Sequence, residues 1–209
     1  MKFLVPFLGA AALAASASAG FTGFSSVATV GGDGKVVTQV YANFSGSSDT
    51  LLNVFGIAYM GGINTSNFGA GNFYHTDFVG GSWAPQFASD PLNDSFLTIG
   101  GTAGFANSSN ADPAWGGLGF NQPGLVTGAG WFNSNPPNLQ GQNIAGKVFI
   151  GQFKTDNAKT WEIFAKVGYN AGLSTPTVFG EGVFTVGVPA PGAVALLGLA
   201  GLVGRRRRA

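Results

Sequence analysis

The chain has 209 residues, and only 9% of them are charged, against roughly 25% in an ordinary soluble domain. The 35 glycines and 10 prolines are typical of disordered chains, but 13% aromatic residues supply apolar surface that disordered chains lack. The absence of cysteine excludes disulfides, cysteine-ligated zinc, iron–sulfur clusters and a thiol nucleophile.

The N-terminal segment has the pattern of a secretory signal peptide. Lys2 supplies the positive charge, and an apolar run over residues 3–15 follows it. Ala17 and Ala19 then form the small-residue pattern that signal peptidase recognises, which predicts cleavage after Ala19. We therefore assign residues 1–19 to a signal peptide.

Two β-strands are predicted next. Residues 35–44 alternate apolar and polar side chains, as a half-buried strand does. The side chains expected on the buried face are Val36, Thr38, Val40, Ala42 and Phe44. Residues 50–60 are apolar on both faces, which predicts a central strand covered on both sides.

The rest of the body also predicts β-structure. Short apolar runs bounded by Gly, Pro, Asn or Ser lie at residues 95–99, 146–155, 160–167 and 178–186. We expect residues 155–159 to connect the second and third of these runs as a hairpin. No window between the two ends has a sustained helical period, so we predict an all-β fold: a single antiparallel β-sandwich or jelly-roll-like domain over residues 20–187.

Residues 100–142 are rich in Asn, Gly, Ser and Pro and predict long loops, where a binding surface is expected. Trp83, Trp115 and Trp131 lie in Gly, Pro or Asn contexts rather than in predicted strands. An exposed indole can stack on a sugar ring, so these three residues are candidate glycan contacts. The alternative is that they fill the ends of the sandwich core.

Few residues offer catalytic chemistry. Glu162 and Glu181 are the only glutamates and fall on two neighbouring predicted strands, where they could act as a glycosidase pair about 5 Å apart. The alternative is that both are solvent-facing strand residues. His75 is the only histidine, and we interpret it as a polar loop residue rather than as a member of a catalytic triad.

Loop carboxylates and amides are candidate ligands for calcium, a hard cation that prefers oxygen. They are Asp90, Asn93, Asp94, Asn110 and Asp112. Two of the aspartates directly precede a proline, so these residues are equally typical of ordinary turns. We therefore assign no cofactor and keep calcium as an alternative.

The C-terminal segment predicts a short transmembrane helix. Residues 192–204 carry no charge and are followed by Arg205, Arg206, Arg207 and Arg208. At about 1.5 Å per residue the helix spans roughly 20 Å, so crossing a hydrocarbon core of about 30 Å requires neighbouring uncharged residues or snorkelling arginines. Because arginines resist translocation, this end is expected to stay cytoplasmic.

Val188, Pro189, Ala190 and Pro191 stand directly before this helix. Together with the helix and the arginines, they resemble the PEP-CTERM sorting signal of Gram-negative bacteria over residues 188–209. Both prolines match the family motif, while Ala190 stands where the family usually has Glu. The resemblance implies recognition by an exosortase, transient anchoring in the inner membrane, and delivery to the cell surface or extracellular matrix.

The charge balance also limits the function. Without the two ends the body has five Lys against nine Asp and Glu, a net charge of −4, which gives no electrostatic basis for binding nucleic acid. We expect an exported surface or extracellular-matrix protein with a non-catalytic structural role, whose partners are the export machinery, the exosortase and the membrane. The alternatives are a carbohydrate-binding module that contacts extracellular polysaccharide and, after it, a glycoside hydrolase.

Overall fold

The computed structural model describes residues 20–75, 83–88, 90, 92–172 and 176–188. The predicted signal peptide and the predicted transmembrane helix lie outside these residues. Within them, no helix has the length and hydrophobicity needed to span a bilayer.

The described chain forms nine β-strands. They are β1 (Phe21–Val30), β2 (Lys35–Phe44), β3 (Thr50–Ile63), β4 (Phe96–Leu97), β5 (Ser109–Ala111), β6 (Trp131–Asn133), β7 (Lys147–Asp156), β8 (Thr160–Asn170) and β9 (Thr177–Val186). One sheet has the order β1-β2-β7-β4, the other has the order β5-β6-β3-β8-β9, and all pairs are antiparallel. The prediction of an all-β fold is therefore confirmed.

Strand β2 has the bounds and the buried face that the alternating pattern predicts. All five side chains expected on that face are buried. Because β2 lies between β1 and β7, its backbone groups are paired on both sides while one face contacts the core.

Strand β3 lies between β6 and β8, but only one of its faces is fully covered. Its buried apolar side chains are Leu51, Val54 and Ile57, which recur at every third position. Bulges shift the register, and Gly56 at one of them has a positive φ of 62°, a conformation that favours glycine. The prediction of a doubly covered strand was wrong because the bulges turn residues such as Phe55 to the outer face.

The predicted hairpin between the runs at 146–155 and 160–167 was also wrong. Strand β7 pairs with β2 and β4 in one sheet, whereas β8 pairs with β3 and β9 in the other. The short connection after Asp156 therefore carries the chain from one sheet to the other. Alternation indicates which face of a strand is buried, but it does not identify the neighbouring strand.

The core fills the space between the two sheets. The Phe24 and Phe184 rings meet edge to face with centroids 5.3 Å apart, and the Phe44 and Tyr169 rings do so at 5.2 Å. Each pair joins one sheet to the other, so the sheets pack as a sandwich through aromatic contacts.

The chain enters the described domain at one end of the sandwich and leaves it at the other. The Gly20 amide donates to Ser45 Oγ at 3.1 Å, and a Cβ at Gly20 would lie 3.1 Å from the Tyr169 hydroxyl oxygen. The Val188 carbonyl accepts a hydrogen bond from Thr160 Oγ1 at 3.0 Å. Thr160 and Tyr169 lie near opposite ends of β8, and nine residues of strand span about 30 Å.

Candidate functional site

The three tryptophans predicted as glycan contacts are core residues. Trp83, Trp115 and Trp131 are 0%, 2% and 1% exposed. Trp115 Nε1 donates to the Gly130 carbonyl at 2.7 Å, and Trp131 Nε1 donates to the Thr98 carbonyl at 2.9 Å. The hypothesis that these indoles contact glycans was wrong, and the alternative that they belong to the core is confirmed. Trp131 lies on β6, while Trp83 and Trp115 lie in segments outside the strands whose rings point inward.

A buried polar network holds part of the predicted loop region in place. Asn107 Nδ2 donates to Thr98 Oγ1 at 2.7 Å, and the Ile99 amide donates to Ser109 Oγ at 2.7 Å. Gln140 Nε2 donates to the Ile99 carbonyl at 2.8 Å. These bonds satisfy buried backbone and side-chain groups, so the Asn-rich composition of residues 100–142 reflects internal hydrogen bonding in this part of the fold.

The two glutamates do not form a glycosidase pair. In the register of β8 and β9, Glu162 lies opposite Thr185, and Glu181 lies opposite Lys166. The pairs are four residues apart along the strands, or about 13 Å. The expected pair requires glutamates on neighbouring positions with carboxylates about 5 Å apart, and this register separates their backbones too far, so the expected arrangement was wrong.

His75 packs against the core and makes structural contacts. Its Nδ1 lies 3.0 Å from the Ser95 carbonyl oxygen and 3.7 Å from Asp94 Oδ1, and its ring meets Trp83 edge to face at 4.8 Å. The Ser95 hydroxyl oxygen accepts a hydrogen bond from the Lys154 amide at 2.9 Å. The hydroxyl of Ser95 therefore contacts strand β7, and its backbone carbonyl contacts His75.

The first group of calcium candidates uses its oxygens within a turn. Asp90 accepts hydrogen bonds from the Leu92 amide and from Asn93 Nδ2, and Asn93 Oδ1 accepts one from Lys154 Nζ. Asp94 is buried beside His75.

The second calcium group lies elsewhere in the fold, at and just after strand β5. Asn110 lies on β5, and Asp112 caps a short turn of 3₁₀-helix by accepting a hydrogen bond from the Ala114 amide at 3.0 Å. The described parts of the chain contain no cluster of three or more His, Asp or Glu side chains placed to hold a metal ion.

A buried lysine forms the shortest ion pair among the described residues. Lys154 Nζ lies 2.8 Å from Asp33 Oδ2 and donates to Asn93 Oδ1 at 3.1 Å. The hydrogen bond from Lys154, followed by one from the Lys35 amide, lowers the pKa of Asp33 below its ordinary value of 3.8. This pair attaches the β1–β2 turn to strand β7.

A second charge cluster lies at the same end of the sandwich. Asp156 accepts a hydrogen bond from the Tyr74 hydroxyl and lies 3.1 Å from Lys159 Nζ, and these contacts lower its pKa. Lys35 Nζ stands 4.0 Å above the centre of the Tyr74 ring, and the contact with Tyr74 raises the pKa of Lys35. These contacts therefore join the segment at Tyr74 to the end of β7 and the start of β2.

An open groove of about 430 Å³ lies on the outer face of the β3-β8-β9 sheet. It is lined by Phe55, Lys166, Phe179, Gly180 and Glu181. Phe179 is 67% exposed, and its ring meets Phe55 edge to face with centroids 6.0 Å apart. We did not predict this site, because its residues come together only through the register of three strands.

Comparison with known protein families, with curated proteins and with solved structures finds no match to this chain.

Proposed function

We propose that this protein is an exported, non-catalytic component of the cell surface or extracellular matrix. In this proposal residues 1–19 are a signal peptide, residues 20–187 form the β-sandwich ectodomain, and residues 188–209 are a PEP-CTERM-like sorting signal with a short transmembrane helix at 192–204. An exosortase-type system sorts the protein, which is first anchored in the inner membrane.

The position of the folded domain is the observation that carries this proposal. Strand β1 begins at Phe21, two residues after the predicted cleavage at Ala19, and β9 ends at Val186, two residues before the sorting motif begins. The sandwich thus fills the interval between the two predicted targeting segments. The structural contacts of His75 and the separation of the two glutamates support a non-catalytic role.

Intact-mass analysis of the native protein, combined with cell fractionation, tests this proposal. We expect an N-terminus at Gly20 and recovery from the membrane, surface or matrix fraction. Ala19→Leu should block cleavage and retain the first 19 residues, because signal peptidase requires a small residue there. The control Ala28→Leu changes an exposed alanine of β1 and should leave processing unchanged. Unprocessed chains running from Met1 to Ala209 in the cytoplasmic fraction would contradict the proposal.

A carbohydrate-binding module at the cell surface is the second candidate function. One observation favours it: an exposed phenylalanine lines an open groove that also presents a lysine and a glutamate. This combination of an apolar wall and a few polar groups is common in small-molecule sites.

A further inference from the structure

The groove on the outer face is built from two adjacent rows of the β3-β8-β9 sheet. In one row Phe55, Lys166 and Glu181 lie side by side, and in the next row Asn53, Gly168 and Phe179 do so. Successive side chains of a strand alternate between faces, so both rows point away from the core. The site therefore stands on three paired strands rather than on loops.

Gly168 is buried between Asn53 and Phe179, and its missing side chain lets these two residues pack close to β8. A Cβ there would lie 2.4 Å from Asn53 Oδ1 and 3.5 Å from Phe179 Cε1, so a larger residue would displace Asn53. Asn53 Oδ1 is itself buried and has no hydrogen-bond partner within the described residues. An unsatisfied buried acceptor is uncommon in a folded protein, and this one lies in the row next to Phe55.

The exposed ring of Phe179 supplies a flat apolar surface in the groove. Its edge-to-face contact with Phe55 fixes the relative orientation of the two rings, and most of Phe179 remains accessible. A ring presented in this way can bury the C–H face of a ligand at low entropic cost, since it has only two side-chain torsions.

The two charged groups of the groove indicate a neutral ligand rich in hydroxyls. Lys166 and Glu181 are opposite each other in the β8–β9 register, yet no ion pair within 4.0 Å joins them in the described structure. One cation and one anion give the rim no net charge. A hydroxyl can donate to a carboxylate and accept from an ammonium, so a polyol satisfies both groups, whereas an anion or a cation would be repelled by one of them.

We propose that this groove binds pyranose units of a neutral polysaccharide. The sugar C–H face stacks on Phe179, with Phe55 beside it, and the sugar hydroxyls bond to Lys166 and Glu181. The proposal rests on the proposed function only in the choice of ligand, because an exported protein meets polysaccharides.

Affinity electrophoresis of the full-length protein tests the proposal, in gels containing dextran, laminarin, galactomannan or alginate. A detergent without a sugar headgroup is required, because a maltoside would compete. We expect retardation in at least one of the three neutral gels and a loss of about tenfold or more in affinity for Phe179→Ala. Glu181→Gln should weaken binding about fivefold. Circular dichroism should show that both variants keep their fold.

Phe105→Ala is the matched control, since Phe105 is 83% exposed and lies in a loop outside the groove. It should bind as the parent protein does. No retardation in any neutral gel, retardation only by alginate, or equal losses in Phe105→Ala and Phe179→Ala would overturn the proposal. Self-association that depends on Phe179 would also overturn it and would identify a second copy of the chain as the occupant. These outcomes are independent of the intact-mass analysis and cell fractionation, so failure of glycan binding and failure of export can be told apart.

Discussion

Two phenylalanines five residues apart on β9 have opposite environments. Phe184 is 4% exposed and packs against the rings of Phe24 and Phe153, with centroids 5.3 Å and 6.1 Å away. Phe179 is 67% exposed and lines the outer groove. Because successive side chains of a strand point to opposite faces, an odd spacing separates a core residue from a surface residue of the same type.

The largest loss of stability is expected from truncating the buried ring of Phe184. Phe184→Ala should lower the free energy of unfolding by about 3–5 kcal/mol, because it removes buried apolar contacts and leaves a cavity. Phe179→Ala is the matched control on the same strand and should change it by about 0.5 kcal/mol or less. Urea unfolding followed by tryptophan fluorescence measures both. Equal losses for the two variants would contradict the assignment of faces.

A smaller effect should follow from removing a buried hydroxyl. Ser109→Ala deprives the buried Ile99 amide of its acceptor at 2.7 Å, which should cost about 1–3 kcal/mol of unfolding free energy. Ser134 is exposed, and its hydroxyl bonds to the Ser108 carbonyl at 2.7 Å, so Ser134→Ala should cost less than 1 kcal/mol. Chemical denaturation of both variants tests the difference, and a larger loss for Ser134→Ala would refute it.

The exposed carboxylates should have the smallest effect, and it should depend on pH. The pKa values of Asp33 and Asp156 are lowered in the fold, so their contribution to stability is complete above the ordinary value of 3.8 and is lost as the pH falls through the lower folded values. The melting temperature should therefore fall in this acidic range. Asp33→Asn should reduce that fall, and about 1 M salt should do the same by screening. A profile unchanged by both treatments would show that these pairs do not contribute.

The sequence predicted best those elements whose burial follows a simple alternation. Strand β2 was recovered with its bounds and its buried face, because one side of it packs directly on the core. Strand β1 was missed, since its residues from Ser25 to Val30 are exposed on both faces and leave no such pattern. The partner of β7 was assigned wrongly because neighbouring strands are set by long-range packing.

Side-chain roles were harder to predict than strands. The local Gly, Pro and Asn context of Trp115 is the same for a loop that exposes its aromatic ring and for one that folds back over a core. The outer groove depends on the register of Phe55, Lys166 and Glu181 across three strands, together with the bulge at Gly56. One signal could have indicated it: in a sandwich of two sheets each sheet has only one covered face, so a strand such as β9 that is apolar at both alternating sets of positions presents one of them outward.

The described domain ends at Val188, beside Thr160, and this contact sets how far along the sandwich the groove lies from that end of the domain. Lys166 lies six residues along β8 from Thr160, the residue that contacts Val188, which is a distance of about 20 Å. If the domain is tethered through its C-terminal side, the Phe55–Phe179 groove lies more than halfway along the sandwich from the tethered end. In that arrangement the paired strands hold the groove on the side of the domain, where a long polymer can contact it.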